Sequence, residues 1–589
     1  MIIYLNSFSM FIFSIFSELI NQLMRQLPLL FSLILFLASG CSKQEKIQLK
    51  TGTDISVSSA MVVSAHPEAS RIGAEIMASG GNAIDAAVAT EFALAVCYPA
   101  AGNIGGGGFM VIRLSDGTID AIDYREKAPG SSQRDMYLDA EGNVVEGLSL
   151  DTQLSAGVPG TVDGLIKVHQ KYGRLDFRRV IQPAIDLAVN GFPITERQAE
   201  SFNYMKATFI KRNDHRVAFV KATRWEAGDT LKQPELGATL TRIRRHGRKG
   251  FYGGATAEMI ADECKRGNGI ITIEDLNKYQ SSWRVPLTSS YRGYRIISMP
   301  PPSSGGVALF QLLTMIEEDT LANGKFLHPS EIHLMVEAER RAFADRSMYL
   351  GDPDFVNVPV EGLLNKKYLA NRMADFSPSS ATLSVMVSPG KLYPPESEET
   401  THYSVVDQFG NAVSGTTTLN NSYGSAIVVK GAGFILNDEM DDFSVKPGTP
   451  NMYGLLGGDA NAIAPGKRML SSMTPTILEK NGSLFLVLGS PGGSTIITSV
   501  FQIIRDVIDY DMTISDAVAA PRFHHQWFPD EISYEDGGID SLTLTVLKNM
   551  GHKVKARGSI GRVDAVMIST DGSRSAGADR RGDDCAVGW

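Results

Sequence analysis

The sequence predicts a globular protein dense in both helices and strands, on three observations. Helical and strand patterns alternate densely from Ala60 onward. Apolar residues make up 43% of the 589 and charged residues 21%, enough for a large core. Thr401 to Val406 and Ala412 to Leu419 alternate as a hairpin around Asp407-Gln408-Phe409-Gly410-Asn411. One core stops growing at about 250–300 residues, so two lobes, or two chains made from one, are expected.

The first forty residues differ from the rest. Met1 to Leu23 is apolar and irregular, whereas Met24-Arg25-Gln26 followed by Leu27 to Leu37 reads as the charged and apolar regions of a signal peptide, with Met24 an alternative start. Ala38-Ser39-Gly40-Cys41 is similar to a bacterial lipobox, although Ala38 stands where Leu is commoner. Residues 1–40 are thus expected to be a signal peptide of lipoprotein type, Cys41 the lipidated residue and 41–59 a polar tether. An ordinary secretory signal and an uncleaved anchor helix are the alternatives.

His66-Pro67-Glu68 opens a helix with Ile72 and Ile76 on one face and Gly80-Gly81 as its stop. Asn82 caps the next helix, an Ala-rich run to Val96 with Asp85 at its positive end. The four glycines Gly105 to Gly108 lack the Lys-Ser/Thr of a phosphate loop and predict a tight turn with close backbone approach. Pro300 to Gly306 is a second such turn, before the helix Val307 to Ile316. The helix from Pro329 to about Met348 carries alternating Glu337, Glu339, Arg340 and Arg341, read as a solvated face. Ser379 to Glu399 reads as a surface loop. Leu484 to Leu488 is expected to be a strand, and Ser494 onward a helix.

Net charge is −9 and no basic run exists, so a nucleic-acid partner is not expected. Beyond Cys41, Cys97, Cys264 and Cys585 form neither a disulfide framework nor a metal-ligand spacing. Neighbouring His524 and His525 cannot share one face and are read as structural, as is His402; no metal site is expected. Thr400 offers chemistry once the bond after Glu399 is cut. Its freed α-amine, with an unperturbed pKa of about 7.7–8.0, would take the proton of its own hydroxyl. Gly492-Gly493, between strand and helix, is either an ordinary turn or an oxyanion hole built from backbone N–H groups.

The stretch Thr400 to Asp407, with Ser471-Ser472-Met473 and Gly489-Ser490-Pro491-Gly492-Gly493-Ser494, resembles the γ-glutamyltransferase (γ-glutamyltranspeptidase) family from about Met61 to the C-terminus. The resemblance implies an α+β fold, a four-layer αββα sandwich of the Ntn-hydrolase type, with a large subunit 60–399 and a small subunit 400–589 made by self-cleavage and intertwined as a heterodimer. It implies Thr400 as nucleophile, Thr418 as a steadying hydroxyl and Gly492 and Gly493 as the oxyanion hole. Arg125, in Asp123-Tyr124-Arg125-Glu126-Lys127-Ala128-Pro129, would hold the substrate α-carboxylate with Ser471 and Ser472. Asn420, Glu439 and Asp442 would hold the α-amine, and Tyr453 in Lys446 to Gly454 would close a lid. Glu399 departs from the residue common before the cut in this family.

The implied activity is transfer of the γ-glutamyl group of glutathione and related compounds to water or to amino acid or dipeptide acceptors, without a cofactor, in an exported, periplasmic enzyme touching membrane only through lipid at Cys41. A glutaryl-cephalosporin acylase of the same fold and an unprocessed lipid-anchored binding protein are the alternatives.

Overall fold

Two antiparallel sheets carry the fold in the computed structural model, which describes residues 47–317, 325–390 and 401–589 apart from 447, 450 and 453. The eight-stranded sheet runs Lys50–Gly52, Cys585–Gly588, Met61–Ser64, Thr401–Val406, Ala412–Thr418, Gly107–Arg113, Ile119–Asp123, Ser282–Arg284. The seven-stranded sheet runs Ser56–Val57, Arg574–Ala578, Asp564–Ile568, Ser483–Gly489, Thr476–Lys480, Tyr294–Ser298, Leu287–Tyr291. Both draw strands from before and after position 400, within the unit Leu49–Trp589.

Strand periodicity explains the layering, because successive side chains point to opposite faces. Met61, Val63, Phe109 and Val111 of the first sheet meet Ile297, Ile477, Val487 and Val566 of the second in one shared core. Val62, Met110, Ile112 and Ile122 turn instead to the helices Pro67–Ala78, Ala83–Cys97, Thr161–Tyr172 and Phe177–Asn190. Ile296, Leu478, Leu486 and Leu488 turn to Gly305–Ile316, Pro329–Tyr349 and Thr495–Asp509. The order is helix, sheet, sheet, helix, as the αββα expectation has it. Strands buried on both faces read as near-continuous apolar runs.

Local signals placed several elements. Asn82 caps Ala83–Cys97 in a capping box with Asp85, and Gly80, at φ 100°, follows the end of Pro67–Ala78. The expected hairpin pairs Thr401 with Thr417 and Val406 with Ala412.

Two expectations need correction. The tether 41–59 is too long, because Lys50–Gly52 pairs with Cys585–Gly588 and Ser56–Val57 with Arg574–Ala578. Both are short edge strands whose Lys50, Thr51 and Ser56 are exposed, so they resembled a polar tether. Cys41 lies outside the described residues.

The charged side of Pro329–Tyr349 is buried rather than solvated: Glu337 and Glu339 are 0% exposed and Arg340, Arg341 and Arg346 are 1% exposed. Arg341 donates to Glu337 at 2.6 Å and to Asp375 at 2.7 Å. Glu337 also accepts the Thr382 N–H at 3.0 Å, and Arg340 pairs with Asp530. Alternating charge is consistent with either outcome, and only partners distant in sequence decided it. Removing one member of a buried pair strands the other. Glu337→Ala is therefore expected to lower unfolding free energy by about 3–5 kcal/mol in denaturant titrations; a loss below about 1 kcal/mol would fit a solvated face.

Candidate active site

The hairpin Thr401–Val406/Ala412–Thr418 lies between Met61–Ser64 and Gly107–Arg113, and its register begins at Thr401 opposite Thr417. Position 400 is one step before that pair. Glu399, Thr400 and Tyr453 lie outside the described residues. The hairpin end is clamped by Asn103, whose side-chain amide donates to the Thr418 carbonyl at 2.6 Å and whose carbonyl accepts the Gly106 N–H at 2.8 Å. A Cβ on Gly106 would come within 2.0 Å of the Thr418 carbonyl oxygen, so this turn excludes any side chain. Gly107 and Gly108 already belong to the following strand.

His402 is buried between hydroxyls: Nδ1 is 2.9 Å from Thr416 Oγ1 and Nε2 is 3.0 Å from Ser404 Oγ. Burial lowers its pKa to about 3, so it stays neutral and structural. A Cβ on Gly489 would meet the His402 ring at 2.4 Å, which puts the end of Ser483–Gly489 against the start of the hairpin. The chain then turns through Ser490 to Ser494 into Thr495–Asp509. Gly492 and Gly493 have φ of 131° and 60°, a region that favours glycine. Among the described residues neither backbone N–H has an acceptor, while Thr495 closes on the Gly492 carbonyl through its N–H at 3.1 Å and its hydroxyl at 2.6 Å. Ser490 Oγ accepts the Arg562 N–H at 2.9 Å and braces the turn. Two donors before a helix N-terminus, beside the hairpin start, form an anion-stabilising corner.

The second component is a buried charge cluster. Arg125, two residues beyond the strand Ile119–Asp123, is 0% exposed. Its guanidinium donates to Glu439 at 2.5 Å, pairs with Asp442, and reaches the carbonyls of Met469 at 3.3 Å and Leu470 at 3.1 Å. Glu439–Asp442 is a single 3-10 turn. Thr418 Oγ1 donates to Glu439 at 2.7 Å and accepts the Asn420 N–H at 2.7 Å, so the hairpin end is bonded to the cluster. Asn420 has φ 70° and donates to the Asp438 carbonyl at 3.0 Å. Its Oδ1 is buried with no partner among the described residues.

Ser471 and Ser472 follow directly from Leu470. Ser471 Oγ accepts the Met473 N–H at 3.2 Å, and Ser472 Oγ accepts from Arg346 at 2.8 Å. The structure thus joins Thr418, Asn420, Glu439, Asp442 and Arg125 by direct bonds, sets Ser471 and Ser472 beside them, and brings Gly492 and Gly493 to the hairpin through Gly489.

Three acids surround one guanidinium. Burial opposes the charge of Arg125, but Glu439, Asp442 and Glu126 outweigh it and hold the guanidinium protonated. Burial raises Glu439, with Arg125 and Thr418 opposing. Burial raises Asp442 well above the usual range against Arg125, and Glu439 and Asp441 add to the rise. Glu126 is raised in the same way by burial and by Glu439. Three acids share one guanidinium, and an incoming cation would favour the charged forms that burial disfavours.

Sequence reasoning missed Arg346, which bonds Ser472 and also Ser304 at 2.9 Å. No local pattern announces it. It missed Asn461 as well, which donates to the Asp442 carbonyl at 2.6 Å and accepts the Leu470 N–H at 3.0 Å. Asn103, beside the glycine run, was the one supporting residue with a signal nearby.

His333, Glu337 and His552 place ligand atoms within 4.8 Å of one another. Glu337, however, is engaged by Arg341, and His333 Nδ1 is already 2.7 Å from His552 Nε2, so the group reads as a hydrogen-bonded pair beside an ion pair. His524 contacts Thr498 and Gln526 at 2.9 Å each, and burial lowers it to about 3 and His525 to about 4.

A carboxyl whose folded pKa is raised stabilises the fold fully below its unfolded value and loses that stabilisation as pH rises through the folded value. Glu126→Gln removes this loss. Its melting temperature relative to the parent is expected to climb from pH 5 to pH 8; a constant difference would contradict the upward shift.

A family model described as Gamma-glutamyltranspeptidase matches residues 69–589. The glutathione hydrolase proenzyme of Escherichia coli (strain K12) is 45% identical over 532 residues, 90% of this chain and 92% of that protein. The crystal structure of Helicobacter pylori γ-glutamyltranspeptidase is 48% identical, covers 56% of this chain and 96% of its own, and gives a TM-score of 0.55. That of the cephalosporin acylase from Bacillus halodurans is 25% identical with a TM-score of 0.80, over 93% of this chain and 99% of its own.

Proposed function

The chain belongs to the γ-glutamyltranspeptidase family, and from that premise we propose how its residues work. It is a γ-glutamyltransferase and glutathione hydrolase, made as a precursor and cleaved by its own action into large and small subunits. The cut falls between Glu399 and Thr400. Thr400 Oγ attacks the Glu399 carbonyl carbon, the peptide nitrogen leaves as the Thr400 α-amine, and water opens the resulting ester to free the Glu399 carboxylate and the Thr400 hydroxyl. The amine then serves as base for that hydroxyl.

The observation that carries the reading is the bonded series Thr418–Glu439–Arg125–Asp442 at the hairpin end. An α-amino-acid head group fits it by exchange. The α-carboxylate takes Arg125 with Ser471 and Ser472, and the α-ammonium takes Glu439, Asp442 and the Asn420 side chain, so each buried charge trades one partner for another. The γ-carbonyl is thereby held for Thr400, with Thr418 Oγ1 steadying the nucleophile. Attack forms a tetrahedral oxyanion on the N–H groups of Gly492 and Gly493, each worth about 2.7–4 kcal/mol in such sites.

Collapse gives the γ-glutamyl ester of Thr400 and releases the amine, cysteinylglycine in the case of glutathione. Water completes hydrolysis; an amino acid or dipeptide amine completes transpeptidation. Tyr453 closes over the bound group. Residues 1–40 direct export, and Cys41 carries a lipid that holds the periplasmic enzyme to a membrane.

A glutaryl acylase of the same fold is the second reading, favoured by the likeness to the Bacillus halodurans enzyme. A glutaryl group has no α-ammonium for Glu439 and Asp442, which argues against it. Thr400→Ala is expected to remain one full-length chain on a denaturing gel, where the parent gives two; cleavage of the variant would refute Thr400. The parent is expected to hydrolyse γ-glutamyl anilide at least about tenfold faster than glutaryl anilide, since about 1.4 kcal/mol of lost head-group binding suffices for that ratio. The reverse preference would select the acylase.

A further inference from the structure

Glu91, on the helix Ala83–Cys97, is 0% exposed and takes no part in the chemistry above. Its Oε2 accepts the Tyr403 hydroxyl at 2.5 Å and the Tyr124 hydroxyl at 3.0 Å. These tyrosines come from the site's two halves. Tyr403 is the third residue after Thr400, and Tyr124 immediately precedes Arg125. The strand Thr401–Val406, which holds Tyr403, and the strand Ile119–Asp123, which Tyr124 directly follows, are separated by Ala412–Thr418 and Gly107–Arg113, a span of about 14 Å at the usual strand spacing.

Glycines on the two intervening strands let the rings lie over the sheet. A Cβ on Gly415 would meet the Tyr403 ring at 2.3 Å, and one on Gly108 would meet the Tyr124 ring at 2.8 Å. A third glycine, Gly164, backs Tyr124, where a Cβ would lie 2.4 Å from its ring. The two hydroxyls therefore converge on one carboxyl from across the sheet, on its helix-facing side.

We propose that Glu91 is a positioning residue of the acyl-transfer site: by holding the Tyr403 and Tyr124 hydroxyls on one oxygen, it sets the distance between the strand that begins behind the nucleophile and the segment that carries Arg125. This rests on the reading of Thr400 and Arg125 given above. A γ-glutamyl group anchored at Arg125 presents its carbonyl at a fixed reach, and a misplacement of about 1 Å can cost about 10²-fold in rate.

The groups facing Glu91 are the two tyrosines, whose hydroxyls burial keeps protonated, and Thr417. Among the described residues no cation pairs with it. Burial, against the hydrogen bonds of Tyr403, Tyr124 and Thr417, raises Glu91 to about 7, so glutamine mimics its neutral form.

The test compares Glu91→Gln, Glu91→Ala and Tyr403→Phe in the mature enzyme, with kcat and KM for γ-glutamyl anilide as readouts and circular dichroism and subunit cleavage as controls. Glu91→Gln is expected within about twofold of the parent. Glu91→Ala should lose about tenfold or more in kcat, from the displaced nucleophile, and raise KM severalfold, from the displaced Arg125. Tyr403→Phe, which keeps the carboxyl and removes one hydroxyl, should lower kcat with a smaller change in KM, and it reports even if Glu91→Ala fails to fold. Parental kcat and KM in folded, cleaved Glu91→Ala or in Tyr403→Phe would overturn the proposal, as would Glu91→Gln impaired as deeply as Glu91→Ala. A parent that does not hydrolyse γ-glutamyl anilide would instead fail the reading of the site.

Discussion

The pairing of Arg125 with Glu439 and Asp442 is the constraint on which the site depends. A guanidinium and two carboxylates removed from water cost several kcal/mol each in desolvation, and their attraction offsets this only with good geometry and satisfied remaining donors. The chain supplies both. The Met469 and Leu470 carbonyls take further Arg125 donors, and Arg468, one residue before them, bonds the Gln280 carbonyl at 2.9 Å and pairs with Asp123, two residues before Arg125, at 3.2 Å. Arg284 grips the same Asp123 at 2.9 Å. Alternating charges thus fix the two segments that meet at the cluster. Apolar residues would pack there as well, so the retained charge fits the head-group exchange proposed above.

The pairing also spans the proposed cut, since Arg125 precedes position 400 and its acids follow it. Scission there does not free a domain. Thr401–Val406 is hydrogen-bonded to Met61–Ser64 on one side and Ala412–Thr418 on the other, and Cys585–Gly588 pairs with the far edge of Met61–Ser64. Thr401, the first described residue beyond the proposed cut, is already in register opposite Thr417.

Much of this was legible in the sequence wherever the information is local. Asn82 with Asp85, the hairpin around Asp407 to Asn411, and the strand-glycine-helix passage at Leu484 to Ser494 carry their own periodicity and caps. The proposed site residues were singled out only through motif resemblance, because Arg125, Ser471 or Asp442 alone resembles an ordinary cap or turn residue. What stayed hidden was long-range. Arg346 and Glu337 carry the same charges whether solvated or buried, and only Ser472, Ser304 and Thr382, far off in sequence, settle which. The edge strands at Lys50 and Ser56 are polar because they are edges, so they resembled a tether.

A crystal structure of the cleaved protein with L-glutamate bound tests the central claim most directly. The account predicts the ligand α-carboxylate on Arg125 and its α-ammonium on Glu439 and Asp442, with those acids turned from the guanidinium and the γ-carboxyl beside Thr400 and the Gly492 and Gly493 N–H groups. Glutamate bound elsewhere, with the Arg125 pairs intact, would contradict it.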